Sequence, residues 1–168
     1  NVLICNNREK KSHFLILGGL MEFDYVVVGA GSAGCAVANR LSQCGNYRIA
    51  LIEAGPSDTS PWIHVPVGYY RTMGNAKSDW CYETQSDKGI ADRSIPWPRG
   101  RVMGGSSSIN GLLYVRGQPR DFDIWSQLGC AGWSWDEVLP YFKRSENWDG
   151  IDETGLRGKD GPLSVQSA

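Results

Sequence analysis

Residues 24–53 constrain this chain more than any other stretch. Val26-Val27-Val28 is a β-branched apolar run that reads as a short buried strand, and Gly29-Ala30-Gly31-Ser32-Ala33-Gly34 follows at once. Gly29 lets the backbone turn sharply off the strand, and Gly31 removes a side chain where backbone must approach a pyrophosphate. Gly34 lets a helix pack closely on the sheet. Ser32 is placed to cap a helix that carries Ala33, Ala36, Val37, Ala38 and Leu41, whose N-terminus would face the phosphates with free N–H groups and the positive end of its dipole. A second apolar run, Ile49-Ala50-Leu51-Ile52, ends in Glu53-Ala54-Gly55, with Glu53 19 residues past Gly34. An acid there accepts hydrogen bonds from a ribose 2′-hydroxyl and repels a 2′-phosphate. The order predicts an α/β, Rossmann-like dinucleotide-binding domain. The bland alternative is a tight turn in an unrelated α/β domain, and the fingerprint by itself does not separate FAD from NAD.

A chain of 168 residues has the length of one domain. Its net charge of −1 gives no footprint for nucleic acid or an anionic membrane surface. The five cysteines, Cys5, Cys35, Cys44, Cys81 and Cys130, are odd in number and show no metal-ligand spacing. Free thiols in a reducing, cytoplasmic compartment are therefore expected, with no metal site. No apolar run approaches the roughly 20 residues of a membrane helix, so no integral membrane segment is expected, although membrane association stays open.

Residues 14–21 follow Arg8, Lys10 and Lys11 and faintly resemble a signal peptide, but Glu22 and Asp24 come directly after. Met21 stands where a domain of this type could begin. Residues 1–20 are therefore expected to be upstream sequence read in frame, a cloning scar, or a poorly ordered extension. Without Arg8, Lys10, Lys11 and Glu9, 14 basic and 17 acidic residues remain, a net −3. Residues 21–161 would be the N-terminal part of the binding domain, and residues 162–168 the start of a substrate domain.

After Gly55 the pattern changes. Pro56-Ser57-Asp58-Thr59-Ser60-Pro61 is turn chemistry, so the chain should leave the sheet. Residues 62–98 carry Trp62, Tyr69, Tyr70, Trp80, Tyr82 and Trp97 with little periodicity. That reads as a lid or an extended segment over a ligand; a mobile insertion is the alternative, against which so many large aromatics would be costly to expose. His64, between Ile63 and Val65, reads as a structural histidine rather than a catalyst. The stretch from Pro98 through Gly104-Gly105-Ser106-Ser107-Ser108-Ile109-Asn110-Gly111 offers close-approaching backbone and short donors, as an extended multi-oxygen ligand requires. A flexible Gly/Ser loop is the competing reading. Arg99 and Arg101 can meet phosphate or brace the loop through an acid.

These residues carry a resemblance. Gly100-Arg101 through Asn110, followed by Tyr114, Gly117 and Asp123, is similar to the first signature of the glucose–methanol–choline (GMC) family of FAD-dependent oxidoreductases. The similarity runs from about Phe23 to the end of the chain. It takes in the glycine turn, Leu51-Ile52-Glu53-Ala54-Gly55, Asp79-Trp80, Tyr114-Val115-Arg116-Gly117 and Gly132-Trp133-Ser134-Trp135. Its flavour is that of choline-dehydrogenase-like and alcohol-dehydrogenase-like members.

The resemblance implies a Rossmann-like FAD-binding fold, incomplete here, and FAD as cofactor. It implies that Gly29, Gly31, Ser32, Ala33 and Gly34 line the pyrophosphate, and that Glu53 and Ala54 serve the adenosine ribose. Trp80, Val102, Ser106, Asn110, Gly111, Leu112 and Leu113 would approach the rest of the cofactor. Family members that bind FAD covalently use a histidine where this chain has Ile109, so non-covalent binding is expected. Met103 stands where an aliphatic residue is usual and keeps a similar volume.

Asp121–Leu128 reads as a short helix closed by Gly129, and Ser134-Trp135-Asp136-Glu137 as a capping box for a helix interrupted by Pro140. Residues 147–161 read as loop, and Pro162-Leu163-Ser164-Val165-Gln166 as a strand. The resemblance implies oxidation of a small primary alcohol, such as choline or an aliphatic alcohol, to an aldehyde by hydride transfer to flavin. A catalytic histidine is expected beyond residue 168, and the chain alone is expected to bind FAD poorly and to show no turnover. The alternatives are an NAD-dependent Rossmann dehydrogenase, which requires continued βα alternation after Glu53, and a catalytically inactive truncated remnant. The electron acceptor and the exact alcohol are not legible.

Overall fold

A computed structural model of the chain describes residues 2–5, 12–16 and 19–167, with side chains from residue 22 onward. It divides into two units, one up to Leu112 and one from Leu113. The expected extension over residues 1–20 falls in part on residues 1, 6–11, 17 and 18, which lie outside the described residues.

The first unit is built on a three-stranded sheet ordered β1 (Val2–Cys5), β5 (Ile49–Ile52), β4 (Tyr25–Val28). β4 and β5 run parallel, with Val26 opposite Ala50 and Val28 opposite Ile52. A parallel pair needs a crossover, and α1 (Ser32–Gln43) supplies it. β1 pairs antiparallel with the other side of β5. A separate hairpin joins β2 (Ser12–Ile16) to β3 (Gly19–Phe23).

Ala30, Ala38, Ile49 and Leu51 are buried together beneath Val27, Leu41 and Met103. Ala38 on α1 and Ala30 in the turn before it are small enough to let helix and sheet approach closely. β4 departs from the buried strand expected of three valines. Among the described residues only β5 pairs with it, and Val28 is 81% exposed.

After β5 the chain leaves the sheet, as the Pro/Ser turn implied. α2 (Tyr69–Thr72) is a single turn, and β6 (Tyr82–Glu83) pairs with β7 (Pro96–Trp97). Trp62, Tyr70, Trp80, Tyr82 and Trp97 are all exposed, against the expectation that they would be covered. They stack on one another or on arginines instead.

The second unit packs α3 (Pro119–Gln127) on α4 (Trp135–Ser145) through Phe122, which touches Trp125, Trp135 and Phe142. Asp121 accepts from the Gln118 amide at 2.8 Å, and Gly129 ends α3 at φ +104°. Glu137 accepts from the Ser134 amide and hydroxyl, as the capping box required. α4 runs on through Pro140 to Ser145.

β8 (Glu146–Trp148) pairs in parallel with β9 (Leu163–Val165). Residues 146–148 were not legible as a strand, because their first side chain is an acid that is fully buried. Glu146 is held by Arg116, by Arg157 at 2.8 Å and by the Gly158 amide at 2.9 Å. Residues 162–168, expected to open a substrate domain, carry β9 within this unit.

Candidate functional site

Gly29 sits at φ +93°, a conformation that glycine adopts without strain. Its amide donates to the Ile52 carbonyl at 2.7 Å, so the turn stays tied to β5. At Gly34 a Cβ would lie 1.9 Å from the Gly29 oxygen. Only a glycine there lets α1 start directly on the turn.

The N-cap of α1 is Gly31, and Ser32 is already the first helical residue. This corrects the expected serine cap. A glycine cap brings no side chain to the first-turn N–H groups of the helix. Those donors and the positive helix end therefore face outward, toward any anion set against Gly31.

Glu53 is buried, and its two carboxylate oxygens accept from the Ala30 amide at 2.8 Å and the Gly55 amide at 2.9 Å. The acid thus fastens the glycine turn to the exit of β5. Ala54 beside it is exposed.

The second glycine loop closes against the first. Gly104 donates to the Ala30 carbonyl at 2.8 Å, and a Cβ on Gly105 would lie 2.9 Å from the Gly31 Cα. A Cβ on Gly55 would meet the Arg101 carbonyl at 2.2 Å, and the Met103 amide donates to the Pro56 carbonyl at 2.9 Å. Val102 and Ile109 are buried and pin the loop from beneath. The flexible-loop reading does not survive these contacts.

The three serines separate by what their hydroxyls do. Ser107 donates to the Gly104 carbonyl at 2.6 Å and Ser108 to the Met103 carbonyl at 2.7 Å. Ser106 instead accepts, from the Gly100 amide at 3.0 Å. Its proton is not engaged by that bond, so Ser106 is the serine equipped to donate to a ligand. Asn110 Oδ1 accepts from the Leu112 amide at 2.9 Å and holds Leu112 at φ +61°, a left-handed conformation that costs a leucine about 1–2 kcal/mol. Ser32, Ala33, Trp80, Ser106, Asn110, Gly111 and Leu112 are all exposed. Leu113, 86% exposed, opens the second unit.

Arg99 and Arg101 both lie against tryptophans. Their guanidiniums lie over Trp97 at 4.9 Å and Trp80 at 5.3 Å, at cation–π distance. Trp80 also stacks on Tyr82, with centroids 6.0 Å apart and planes 2° from parallel.

One residue had only a place in a motif in the sequence. Asp79 is 2% exposed. It accepts from the amides of Gly74 at 2.7 Å, Cys81 at 3.0 Å and Arg99 at 2.9 Å. Burial pushes its carboxyl up, but these N–H groups and the Arg99 guanidinium hold it below the ordinary 3.8. An acid embedded in a stretch of turns and aromatics was the available signal.

His64 has Nε2 2.6 Å from the Asp58 carbonyl and is exposed, a structural contact in keeping with its reading. Among the described residues no group of three or more His, Cys, Asp or Glu side chains could hold a metal ion, and no helix is long and apolar enough to cross a membrane. Cys35, Cys44, Cys81 and Cys130 are exposed free thiols. No crossover helix follows β5 to continue the βα alternation that an NAD-type Rossmann domain requires, among the described residues.

Comparison with known proteins agrees with this geometry. Residues 23–168 match the family model described as GMC oxidoreductase. An oxygen-dependent choline dehydrogenase of Vibrio vulnificus is 50% identical over 145 residues, which cover 86% of this chain and 26% of the relative. Another, of Photobacterium profundum, is 51% identical over 143 residues, covering 85% of this chain and 25% of the relative. The chain thus spans about a quarter of the length of the curated relatives it matches.

Among solved structures, pyridoxine 4-oxidase from Mesorbium loti superposes with a TM-score of 0.78 at 42% identity, over 84% of this chain and 28% of that one. A formate oxidase from Aspergillus oryzae, studied for modification of its FAD, gives a TM-score of 0.76 at 33% identity, over 86% and 26%. The architecture is that of the FAD-binding N-terminal region of these flavoenzymes, and the chain belongs to the GMC oxidoreductase family.

Proposed function

We propose that this chain is the cofactor-binding part of an FAD-dependent oxidoreductase that oxidises the CH–OH group of a small primary alcohol, choline being the leading candidate, to an aldehyde. The observation that carries the reading is the seating of Gly105 on Gly31 at the glycine cap of α1. Two loops from separate stretches of sequence thereby make one cradle, with no Cβ where a pyrophosphate would lie. The residues present fit the cofactor. The α1 N-terminus supplies charge complementarity to phosphate, and Ala33 and Ala54 leave room beside it. Glu53 sits at the ribose end, Ser106 brings a hydroxyl proton, and Asn110 with Gly111 and Leu112 forms the far end of the cradle. Val102 is buried in the same loop.

Bound FAD supplies the two-electron acceptor chemistry that no side chain can provide. The chain's own residues bind and orient it. Ile109, buried at the position where the family resemblance would need a histidine for covalent attachment, supports non-covalent binding. Choline as substrate is supported by the names of the relatives alone, and we place the proton-accepting histidine outside these 168 residues. The test is a titration of FAD followed by quenching of flavin fluorescence, with acid precipitation of the complex. Weak, saturable binding with all flavin released into the supernatant supports the reading. Flavin retained in the pellet overturns the non-covalent part, and no binding overturns the whole.

A further inference from the structure

We propose that Asp79 is a positioning residue for the cofactor cradle, one that touches no ligand and sets the second glycine loop through backbone amides alone. The inference rests on the FAD reading for its functional meaning, and on geometry for everything else. The carboxylate gathers amides from three places: Gly74 before it, Cys81 after it and Arg99 at 20 residues' distance. Cys81 is thereby held at φ +53°, a conformation a cysteine adopts only under such constraint.

Around this acid the backbone makes a short antiparallel ladder. Trp80 donates to the Arg99 carbonyl at 2.9 Å, Arg101 donates to the Ser78 carbonyl at 2.8 Å, and Asp79 faces Gly100. The constraint then passes along the loop. Gly100 donates to the Ser106 hydroxyl oxygen at 3.0 Å, and a Cβ on Gly100 would lie 2.1 Å from the Gly105 oxygen. Gly105 in turn rests on Gly31. Beyond the Asp79 carboxylate and the Ser106 hydroxyl, the steps to the α1 N-terminus are backbone contacts, which leaves little side-chain freedom to absorb a displacement.

Two consequences distinguish positioning from general stabilisation. Loss of the carboxylate must loosen residues 100–109, to none of which the carboxylate hydrogen-bonds, and it must do so more than an equal loss of stability elsewhere in the unit. Asp79→Asn and Asp79→Ala are compared with Phe23→Leu, a cavity variant in β3 outside the cluster on which Met103 packs. Amide hydrogen exchange is read by mass spectrometry, and FAD affinity by fluorescence.

Asp79→Asn should speed exchange across residues 100–109 and weaken FAD by about tenfold or more, the worth of charge-assisted hydrogen bonds lost at the cradle. Phe23→Leu should leave both unchanged. Should Asp79→Ala fail to fold, the isosteric Asp79→Asn still decides. Unchanged exchange in residues 100–109 of Asp79→Asn overturns the proposal. If the parent chain does not bind FAD, the functional reading above fails, while the exchange comparison still decides the role of Asp79.

Discussion

Gly105 packs its backbone on Gly31, so closely that a methyl group on Gly105 would sit 2.9 Å from the Gly31 Cα. The two glycines lie 74 positions apart, one at the N-cap of α1 and one in a 3-10 turn over Gly105–Ser108. Their contact turns two glycine loops into a single surface.

Glycines in this chain fail for different reasons. Gly34→Ala should lower stability by about 3 kcal/mol or more, because its methyl would overlap the Gly29 carbonyl. Gly45→Ala, at φ +66° just past α1 with open space around it, should cost only about 1–2 kcal/mol of backbone strain. Urea unfolding of the two variants, monitored by tryptophan fluorescence, tests the difference.

Glu53→Gln keeps shape but turns one acceptor into a donor facing a backbone N–H, at Ala30 or at Gly55. The expected loss is about 1–3 kcal/mol, as for a buried hydrogen bond to a charged group. A thermal melt without any added nucleotide checks that this acid is structural whatever its role toward a ligand. An unchanged Tm would reduce Glu53 to a ligand contact.

Acid should weaken the fold through Asp79. Its folded pKa lies below the ordinary 3.8, so near that pH the unfolded chain binds more protons and stability rises with pH. The contribution is complete above the unfolded value and is lost as pH falls through the folded one. Asp152 acts with the same sign between 3.8 and about 2, held down by the Thr154 hydroxyl and then by the Arg157 and Thr154 amides; solvent screening keeps its share small. Urea midpoints between about pH 2 and pH 5 should fall less steeply for Asp79→Asn than for the parent chain.

Arg116→Met should be among the most damaging substitutions in the second unit. It leaves Glu146 fully buried with one guanidinium fewer and breaks the donation to the Leu156 carbonyl. Removing one partner of a buried pair costs about 3–5 kcal/mol. Arg157→Met, on the more exposed arginine, should cost less. Arg116→Met combined with Glu146→Gln should lose less than the sum of the single variants in a double-mutant cycle.

The parts of this fold that local chemistry dictates were legible in the residues. Val26-Val27-Val28 with Gly29, Gly31 and Gly34 marks a strand, a turn and a helix, because each step needs a residue type that few other structures demand in that order. Glu137 three residues after Ser134 marks a helix start for the same reason. What could not be read depends on partners distant in sequence. Among the described residues only β5 reaches β4, and β8 hid behind the charge of Glu146, whose arginines lie 30 and 11 residues away. Of three adjacent serines, only the loop's own hydrogen bonds single out Ser106. Asp79 gained its place from the Arg99 amide, which no periodicity reports.

The central claim is that both glycine loops together bind FAD. The most direct measurement is a parallel titration of FAD and NAD into the parent chain and into Gly105→Val, with circular dichroism to verify that α1 and the sheet persist. The account predicts saturable FAD binding by the parent chain, little or none for NAD, and loss of FAD binding in Gly105→Val. Equal FAD affinity in Gly105→Val, or NAD binding as tight as FAD, would contradict it.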